Sequence, residues 1–249
     1  MPAILNPVVV IPARLQAANL PGKPLLDIHG DPLIVHVWRR AVAAAIGPVV
    51  VACAEREIQD AVIRAGGNAI LTRPDHRSSS DRVFEAVEKF DPEGHFDTVV
   101  NLHGDLPAIT PAAIRAALLP LDDPAVDVST VITEITDDGF RHSPGIVKAV
   151  VGLAEGQRSG RAIYFSRAAV PAGEGPLFHH IGLYAFRRAT LERFVALETG
   201  VLEQREGLEQ LRAIENGMRL EAVLVANLAP GVDTPADLER LRKILVRLH

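Results

Sequence analysis

Residues 8–24 read VVVIPARLQAANLPGKP, a run of β-branched apolar residues that gives way to a loop of prolines, glycine and cations. The run Val8–Ile11 predicts a buried strand, because a strand covered on both faces is apolar throughout. Two cations, Arg14 and Lys23, follow this strand. Ligands of open α/β sheets bind beyond the carboxyl ends of the strands, so the loop is the first candidate binding segment.

The composition narrows the class of protein. The chain has 249 residues, 48% of them hydrophobic, and a formal net charge of -5. That length suits one large α/β domain, and the charge offers no basic footprint, so we expect no nucleic-acid partner. The single cysteine, Cys53, excludes a disulfide framework. We find no signal-peptide pattern, and Gly47-Pro48 interrupts the longest apolar run, so we expect a cytoplasmic protein without membrane insertion.

Short apolar runs alternate with helical patterns along the first half of the chain, which is typical of βαβ units. The predicted strands there are Val8–Ile11, Val49–Cys53, Ala69–Thr72 and Thr98–Leu102. The predicted helices are Pro32–Ile46, Glu57–Ala65, a run that a serine caps in SSSDRVFEAVEKF, and one that starts at Thr110-Pro111. This alternation predicts a Rossmann-like, doubly wound α/β fold with a mostly parallel sheet.

The second half of the chain has a different pattern. Strands are predicted at Val126–Thr133, Ile146–Val151, His180–Phe186 and Leu220–Ala226. Helices are predicted around Thr190–Leu197 and Glu206–Glu215, and a capping box at Thr234 opens a last helix to about Leu248. We therefore expect a single domain over 1–249, with an inserted sheet and helix subdomain over 130–215.

Charged residues follow several predicted strands at the same edge of the sheet. Arg14 and Lys23 follow the first strand, Asp105 follows the fourth in VVNLHGDLP, and Asp233 lies in PGVDTP. Cations match a triphosphate, and paired carboxylates suit Mg²⁺ bound to phosphates. Three of these residues also have simpler interpretations. Lys23 could be a surface lysine, Asp105 a turn aspartate, and Asp233 a partner of a helix dipole. A Walker A spacing is absent, which disfavours a P-loop kinase.

A set of motifs in one order over nearly the whole chain carries a resemblance. They are IPAR…LPGKPL, IVHVW, TRPDH…DRVFEA, VVNLHGDLP, IVKAV, YFSRA, HHIGLYAF, LEQLRAIENG and GVDTPADLERLR. The chain resembles the 3-deoxy-manno-octulosonate cytidylyltransferases, or CMP-Kdo synthetases. The resemblance implies a nucleotidyltransferase fold and transfer of CMP from CTP to the acidic sugar Kdo, giving CMP-Kdo and pyrophosphate for lipopolysaccharide biosynthesis. It also implies Mg²⁺ as cofactor and a homodimer formed through the inserted subdomain.

The resemblance assigns roles to particular residues. The catalytic set is Lys23, Asp105 and Asp233, with both aspartates holding Mg²⁺. The nucleotide-binding set is Arg14, Lys23, Arg73, Ser78 and His103. The sugar-binding set is Arg167, His180, Tyr184, Glu209 and Gln210. Two of these residues also have plain structural interpretations, Glu209 as a solvated helix residue and Tyr184 as an inward-facing strand residue.

Several positions depart from the family pattern. Asn19 stands where the family has an arginine, Ala54 where it has an aspartate, Ser79 where it has a glycine, and His103 where it has a glutamine. The metal carboxylates and Lys23 are kept, so the departures concern substrate recognition. Alternatives therefore stay open: another 3-deoxy sugar acid as acceptor, another base, or a homologue that binds a nucleotide without turnover.

Overall fold

The computed structural model describes residues 5–16, 20–226 and 231–245. They form two compact units. The first, called the N-terminal unit, contains the described residues of 5–114 and 231–245. The second, called the central unit, contains residues 115–226.

The bounds of the elements follow. The strands are β1 (Pro7–Ala13), β2 (Asp27–Ile28), β3 (Asp31–Pro32), β4 (Val49–Cys53), β5 (Asn68–Leu71), β6 (Thr98–Leu102), β7 (Val128–Glu134), β8 (Lys148–Val151), β9 (Ser159–Ser166), β10 (Phe178–Arg187) and β11 (Leu220–Leu224). The α-helices are α1 (Leu33–Ala44), α2 (Arg56–Arg64), α3 (Ser79–Phe90), α4 (Pro111–Ala116), α5 (Asp138–Arg141), α6 (Arg188–Val195), α7 (Val201–Glu206), α8 (Leu211–Glu215) and α9 (Pro235–Leu245). Short 3₁₀ turns occupy Lys23–Leu25 and Leu119–Asp122.

A parallel sheet in the order β5-β4-β1-β6 forms the core of the N-terminal unit. Val9 of β1 pairs with Val49 on one side and Val100 on the other. The apolar residues of β1 are buried, as expected for a central strand covered on both faces. Because the strand order reverses between β1 and β6, a ligand crevice is expected at their carboxyl ends.

The central unit has a mixed sheet. Strand β7 pairs antiparallel with β10 and parallel with β11, and β9 pairs antiparallel with both β11 and β8. Strand β8 also pairs with β10, so the five strands β10, β7, β11, β9 and β8 are paired in a closed ring. Together the units confirm the predicted α/β class, with the parallel strands concentrated in the N-terminal unit.

The predicted helix starts are confirmed by their hydrogen bonds. Ser78 accepts a bond from the Asp81 amide at the start of α3. Thr234 and Asp237 bond each other reciprocally before α9. Among the helices of the described residues, none is both long enough and apolar enough to cross a membrane.

One prediction for the second half of the chain is wrong, and one strand was not predicted. Glu206–Glu215 is not one helix, because the left-handed Gly207 (φ 64°) ends α7 and α8 begins only at Leu211. Strand β9 was not predicted, although its first residues alternate between exposed and buried. Its first residues, Ser159, Gly160 and Arg161, are not typical of strands, whereas Ile163, Tyr164 and Phe165 are.

Candidate functional site

A cleft of about 330 Å³ lies at the carboxyl ends of β1 and β6 in the N-terminal unit. Its lining includes Arg14 and Lys23 from the segment after β1, and Asp105 from the turn after β6. Asp233, which precedes α9, lines it as well. The cleft therefore brings together the charged residues that the sequence placed at one sheet edge.

Lys23 joins the two aspartates directly. Its Nζ lies 3.0 Å from Asp105 Oδ2 and 3.1 Å from Asp233 Oδ1. The side chains of Lys23, Asp105 and Asp233 are 15%, 25% and 54% exposed. Because both carboxylates touch the same atom, they face one shared position in the cleft.

Main-chain contacts bring these three residues together. A Cβ atom on Gly104 would lie 2.8 Å from the carbonyl oxygen of Pro12, so a glycine is needed for the turn after β6 to pass this close to β1. The amide of Val232 donates to the Asp105 carbonyl at 3.0 Å, which carries Asp233 to the same place. Lys23 begins a 3₁₀ turn after the left-handed Gly22 (φ 72°).

The electrostatics keep both kinds of group charged. Burial favours a neutral amine at Lys23, but the charges of Asp105 and Asp233 outweigh it and raise the pKa of Lys23. Burial likewise favours a neutral Asp105, but Lys23 and then His103 lower the pKa of that carboxyl. At neutral pH, Lys23 is therefore an ammonium and Asp105 a carboxylate.

The segment from His76 to Ser79 forms another wall of the cleft. Ser78 lines the cleft, and His103 does so too, with its Nε2 3.3 Å from the Ser79 hydroxyl. Arg73 is not among the lining residues; its side chain is 69% exposed and reaches Glu85 at 3.7 Å. The structure thus brings the predicted nucleotide-binding residues together except for Arg73.

Arg82 was missed in the sequence. It lines the cleft, is 3% exposed, and donates through Nη1 to Thr72 Oγ1 at 2.6 Å and to the Arg73 carbonyl at 3.1 Å. Burial lowers the pKa of its guanidinium, and the charge of Arg14 adds to this effect. An arginine on an otherwise apolar face of α3, as in DRVFEAV, is the signal that could have identified it.

The predicted sugar-binding residues belong to the central unit. His180 Nε2 lies 3.0 Å from Thr130 Oγ1, and its Nδ1 lies 3.5 Å from Gln210 Nε2. The Tyr184 ring is 5.3 Å from the His180 ring, and burial, followed by the Glu209 charge, raises the pKa of Tyr184 well above its usual range. Tyr184 therefore stays a neutral phenol, which donates and accepts hydrogen bonds.

Arg167 lies at the end of β9 and contacts main-chain carbonyls. Its guanidinium donates to Pro144, Glu206 and Gly207 at 3.0, 2.9 and 3.5 Å. An arginine has five N–H donors, so these contacts leave capacity for a further acceptor. The side chain is nevertheless anchored to the protein to an extent that the sequence did not predict.

The departures from the family pattern fall at distinct places. Ser79 and His103 contact each other in the cleft. Ala54 follows β4 and is half-buried. Asn19 lies outside the described residues.

Known proteins match nearly the whole chain. A family model described as cytidylyltransferase matches residues 8–220. The 3-deoxy-manno-octulosonate cytidylyltransferase of Paramagnetospirillum magneticum is 64% identical, over 98% of this chain and 99% of that protein. The protein of the same name from Rhodospirillum rubrum is 62% identical, over 98% and 97%. A solved structure of CMP:2-keto-3-deoxy-manno-octonic acid synthetase complexed with CTP has a TM-score of 0.87 and 39% identity, over 98% of this chain and 100% of that chain.

Proposed function

We propose, since this chain belongs to the 3-deoxy-manno-octulosonate cytidylyltransferase family, that it transfers CMP from CTP to the anomeric hydroxyl of Kdo. The products are CMP-Kdo, a precursor for lipopolysaccharide, and pyrophosphate. The observation that carries the proposal is Lys23 held between Asp105 and Asp233 in a cleft at the sheet edge. This arrangement offers a cation for phosphates and oxygen ligands for a metal ion in one place.

The cleft of the N-terminal unit is the proposed CTP site. Arg14 and Lys23 bind the phosphates. The resemblance assigns Arg73 and Ser78 to the cytosine and ribose, and His103 to the nucleotide site. Arg14 is exposed at the cleft, so its guanidinium is open to a bidentate contact with phosphate oxygens. The raised pKa of Lys23 supports a role as a fixed cation rather than a base.

The residues fit the Mg²⁺ that the family implies. Two carboxylates face one position, and hard oxygen donors are what Mg²⁺ prefers. Within the described ranges, no cluster of three or more acidic, histidine or cysteine ligands occurs, but one or two carboxylates suffice where phosphates supply further oxygens. Asp105 and Asp233 would hold the ion, which when bound stabilises charge that develops on the phosphate and lowers the pKa of a bound hydroxyl.

The reaction needs no covalent enzyme intermediate. The oxygen of the anomeric hydroxyl forms a bond to the α-phosphorus of CTP and releases its proton to solvent. The bond from the α-phosphorus to the oxygen that bridges to the β-phosphate breaks, and pyrophosphate leaves. Lys23 holds the phosphates and balances their charge, while Asp105, kept ionised by its low pKa, remains a ligand. Their task is to orient and stabilise, which accounts for most of the catalysis in phosphoryl transfer.

The central unit supplies the proposed acceptor site. Its residues are Arg167, His180, Tyr184, Glu209 and Gln210. Kdo carries one carboxylate and many hydroxyls, so it needs one cation and several neutral or acidic partners. The neutral Tyr184 phenol, the Gln210 amide and the spare donors of Arg167 match that need.

We also propose that the protein is a cytoplasmic homodimer. Its nucleotide substrate is a cytoplasmic metabolite, and the resemblance places the dimer contact in the inserted region of 130–215. Light scattering after size exclusion should give twice the 26.8 kDa of one chain. A mass of one chain at working concentration would contradict the dimer.

A pyrophosphate-release assay tests the function. Purified protein, Mg²⁺, CTP and Kdo should release pyrophosphate and form CMP-Kdo, and omission of the sugar should stop the release. The contact between Ser79 and His103, both departures from the family pattern, makes substrate choice worth testing directly. Parallel reactions should therefore use the other nucleotides with Kdo, and CTP with other acidic sugars.

The outcomes separate the alternatives. Turnover with a different sugar acid or a different base would identify another transferase. CTP binding without any product would favour the non-catalytic homologue.

A further inference from the structure

Lys148 in β8 is a buried cation that the proposed mechanism does not use. It is fully buried, and its Nζ donates to the carbonyl oxygens of Ser143 at 2.6 Å and Arg167 at 3.3 Å. Among the residues that the structure describes, no carboxylate forms an ion pair with it. Burying an ammonium without a counter-charge is unfavourable. Its two bonds to carbonyl oxygens therefore have to offset the cost of burying its charge.

Those contacts connect to Arg167 from the other direction. While Lys148 binds its carbonyl, the Arg167 guanidinium donates to Pro144, which follows Ser143, and to the carbonyls of Glu206 and Gly207. Three separate segments are thus joined: the turn before β8, the end of β9, and the end of α7. Lys148 and Arg167 both donate to main-chain carbonyl oxygens, and these hydrogen bonds hold the backbone of the three segments in place.

Glu206 completes the connection between α7 and β9. One carboxylate oxygen accepts the Arg167 amide at 3.0 Å, and the other accepts the Ser166 hydroxyl at 2.8 Å and the Tyr164 hydroxyl at 3.4 Å. These hydrogen bonds hold the last residue of α7 against the strand. We call Lys148, Arg167 and Glu206 the carbonyl clamp.

The clamp ends where the proposed acceptor residues begin. Gly207 starts the turn between α7 and α8, and Glu209 and Gln210 lie within that turn. Gln210 is 5% exposed and approaches His180 at 3.5 Å. Removal of one clamp contact would shift this turn and so move Glu209 and Gln210. Because hydrogen bonds weaken steeply with distance, even a small shift would weaken those that these two residues make.

We propose that Lys148 and Glu206 are positioning residues that hold the turn of Glu209 and Gln210 in the geometry that the acceptor sugar requires. This inference rests on the proposed function. It concerns residues that do not touch the substrate and that act through the backbone of Arg167 and Gly207.

Steady-state kinetics of Glu206→Gln and Lys148→Met test the clamp. Each variant should raise KM for Kdo about tenfold or more, the loss of about 1.4 kcal/mol of interaction, while KM for CTP stays within about twofold. General loss of folded protein lowers the apparent kcat and leaves both KM values unchanged. The split between the two substrates therefore distinguishes positioning from stability.

Glu215→Gln is the matched control. Glu215 accepts two main-chain amides, Leu202 at 3.0 Å and Glu203 at 3.3 Å, so its hydrogen bonds join α8 to α7, whereas those of Glu206 join α7 to β9. It should leave KM for Kdo unchanged. Equal effects of Glu215→Gln and Glu206→Gln would overturn the clamp, and so would unchanged KM values in Glu206→Gln, even if Lys148→Met fails to fold. Wild-type protein without any product would instead overturn the proposed function.

Discussion

Glu85→Gln tests the hydrogen bonds that hold the segment from Arg73 to His76 next to the cleft. Burial alone would raise the pKa of Glu85, but hydrogen bonds from Lys89, His76 and the Arg73 amide lower it from 4.5 to about 2. The side chain is 18% exposed, so solvent screens these contacts only in part. At about 1.4 kcal/mol for each unit of pKa, this difference sets an upper limit of about 3 kcal/mol, which the exposure of Lys89 (49%) and Arg73 (69%) reduces. We expect Glu85→Gln to lower the free energy of unfolding by about 1 to 2 kcal/mol at neutral pH, because glutamine keeps an acceptor for the Arg73 amide.

The pH dependence gives this prediction a second, independent test. Because the pKa of Glu85 is lower in the folded chain than in the unfolded chain, its contribution is complete above pH 4.5 and is lost as the pH falls toward about 2. Urea unfolding at several pH values should show the difference between wild type and variant shrinking in that range. Glu88→Gln, at an exposed position of the same helix, is the control. A difference below about 0.5 kcal/mol at neutral pH, or one that does not shrink in acid, would refute the reasoning.

Further variants test the cleft and the central unit. Asp105→Asn should lower kcat/KM about a hundredfold with unchanged circular dichroism, and near-normal turnover would remove Asp105 from the site. Arg82→Lys should raise KM for CTP about tenfold, because the ammonium lacks the planar fork that holds the segment after β5. Arg212→Met should destabilise the protein by about 3 kcal/mol in urea, since it leaves Glu203 charged and buried; the double variant with Glu203→Leu should lose less. With EDTA present, calorimetry should show Asp233→Asn binding CTP more tightly than wild type does; weaker binding would contradict this.

The sequence predicted the residues of the cleft because the end of a buried strand can be recognised from the sequence. A buried strand is a continuous apolar run, so the sequence alone places Arg14, Lys23 and Asp105 at one edge of the sheet. Their contacts could not be placed. Asp105 and Asp233 lie 82 and 210 positions from Lys23 along the chain, and their approach depends on Gly104 passing close to Pro12.

The central unit was less predictable for physical reasons. Buried cations such as Lys148 and Arg212 resemble surface residues in a sequence, because only the fold shows which acceptors surround them. The break at Gly207 is by contrast a local signal in the sequence, since a glycine with positive φ commonly ends a helix. The sheet ring formed by β8 and β10 depends on long-range pairing, which local patterns do not encode.

The two carboxylates beside Lys23 favour a divalent cation as a partner of the nucleotide, although Arg14, Arg77 and Arg82, which also line the cleft, make its overall charge positive. Lys23 is protonated and both aspartates are carboxylates. These three residues together therefore carry one net negative charge, beside the position where the triphosphate is to bind. Like charges at contact distance repel by up to about 4 kcal/mol at an effective dielectric of about 20, and the exposure of Asp233 reduces this. A divalent ion reverses the sign of the interaction. Removal of the Asp233 charge should therefore strengthen CTP binding in EDTA and weaken it with Mg²⁺, and a merely structural aspartate would give no such reversal.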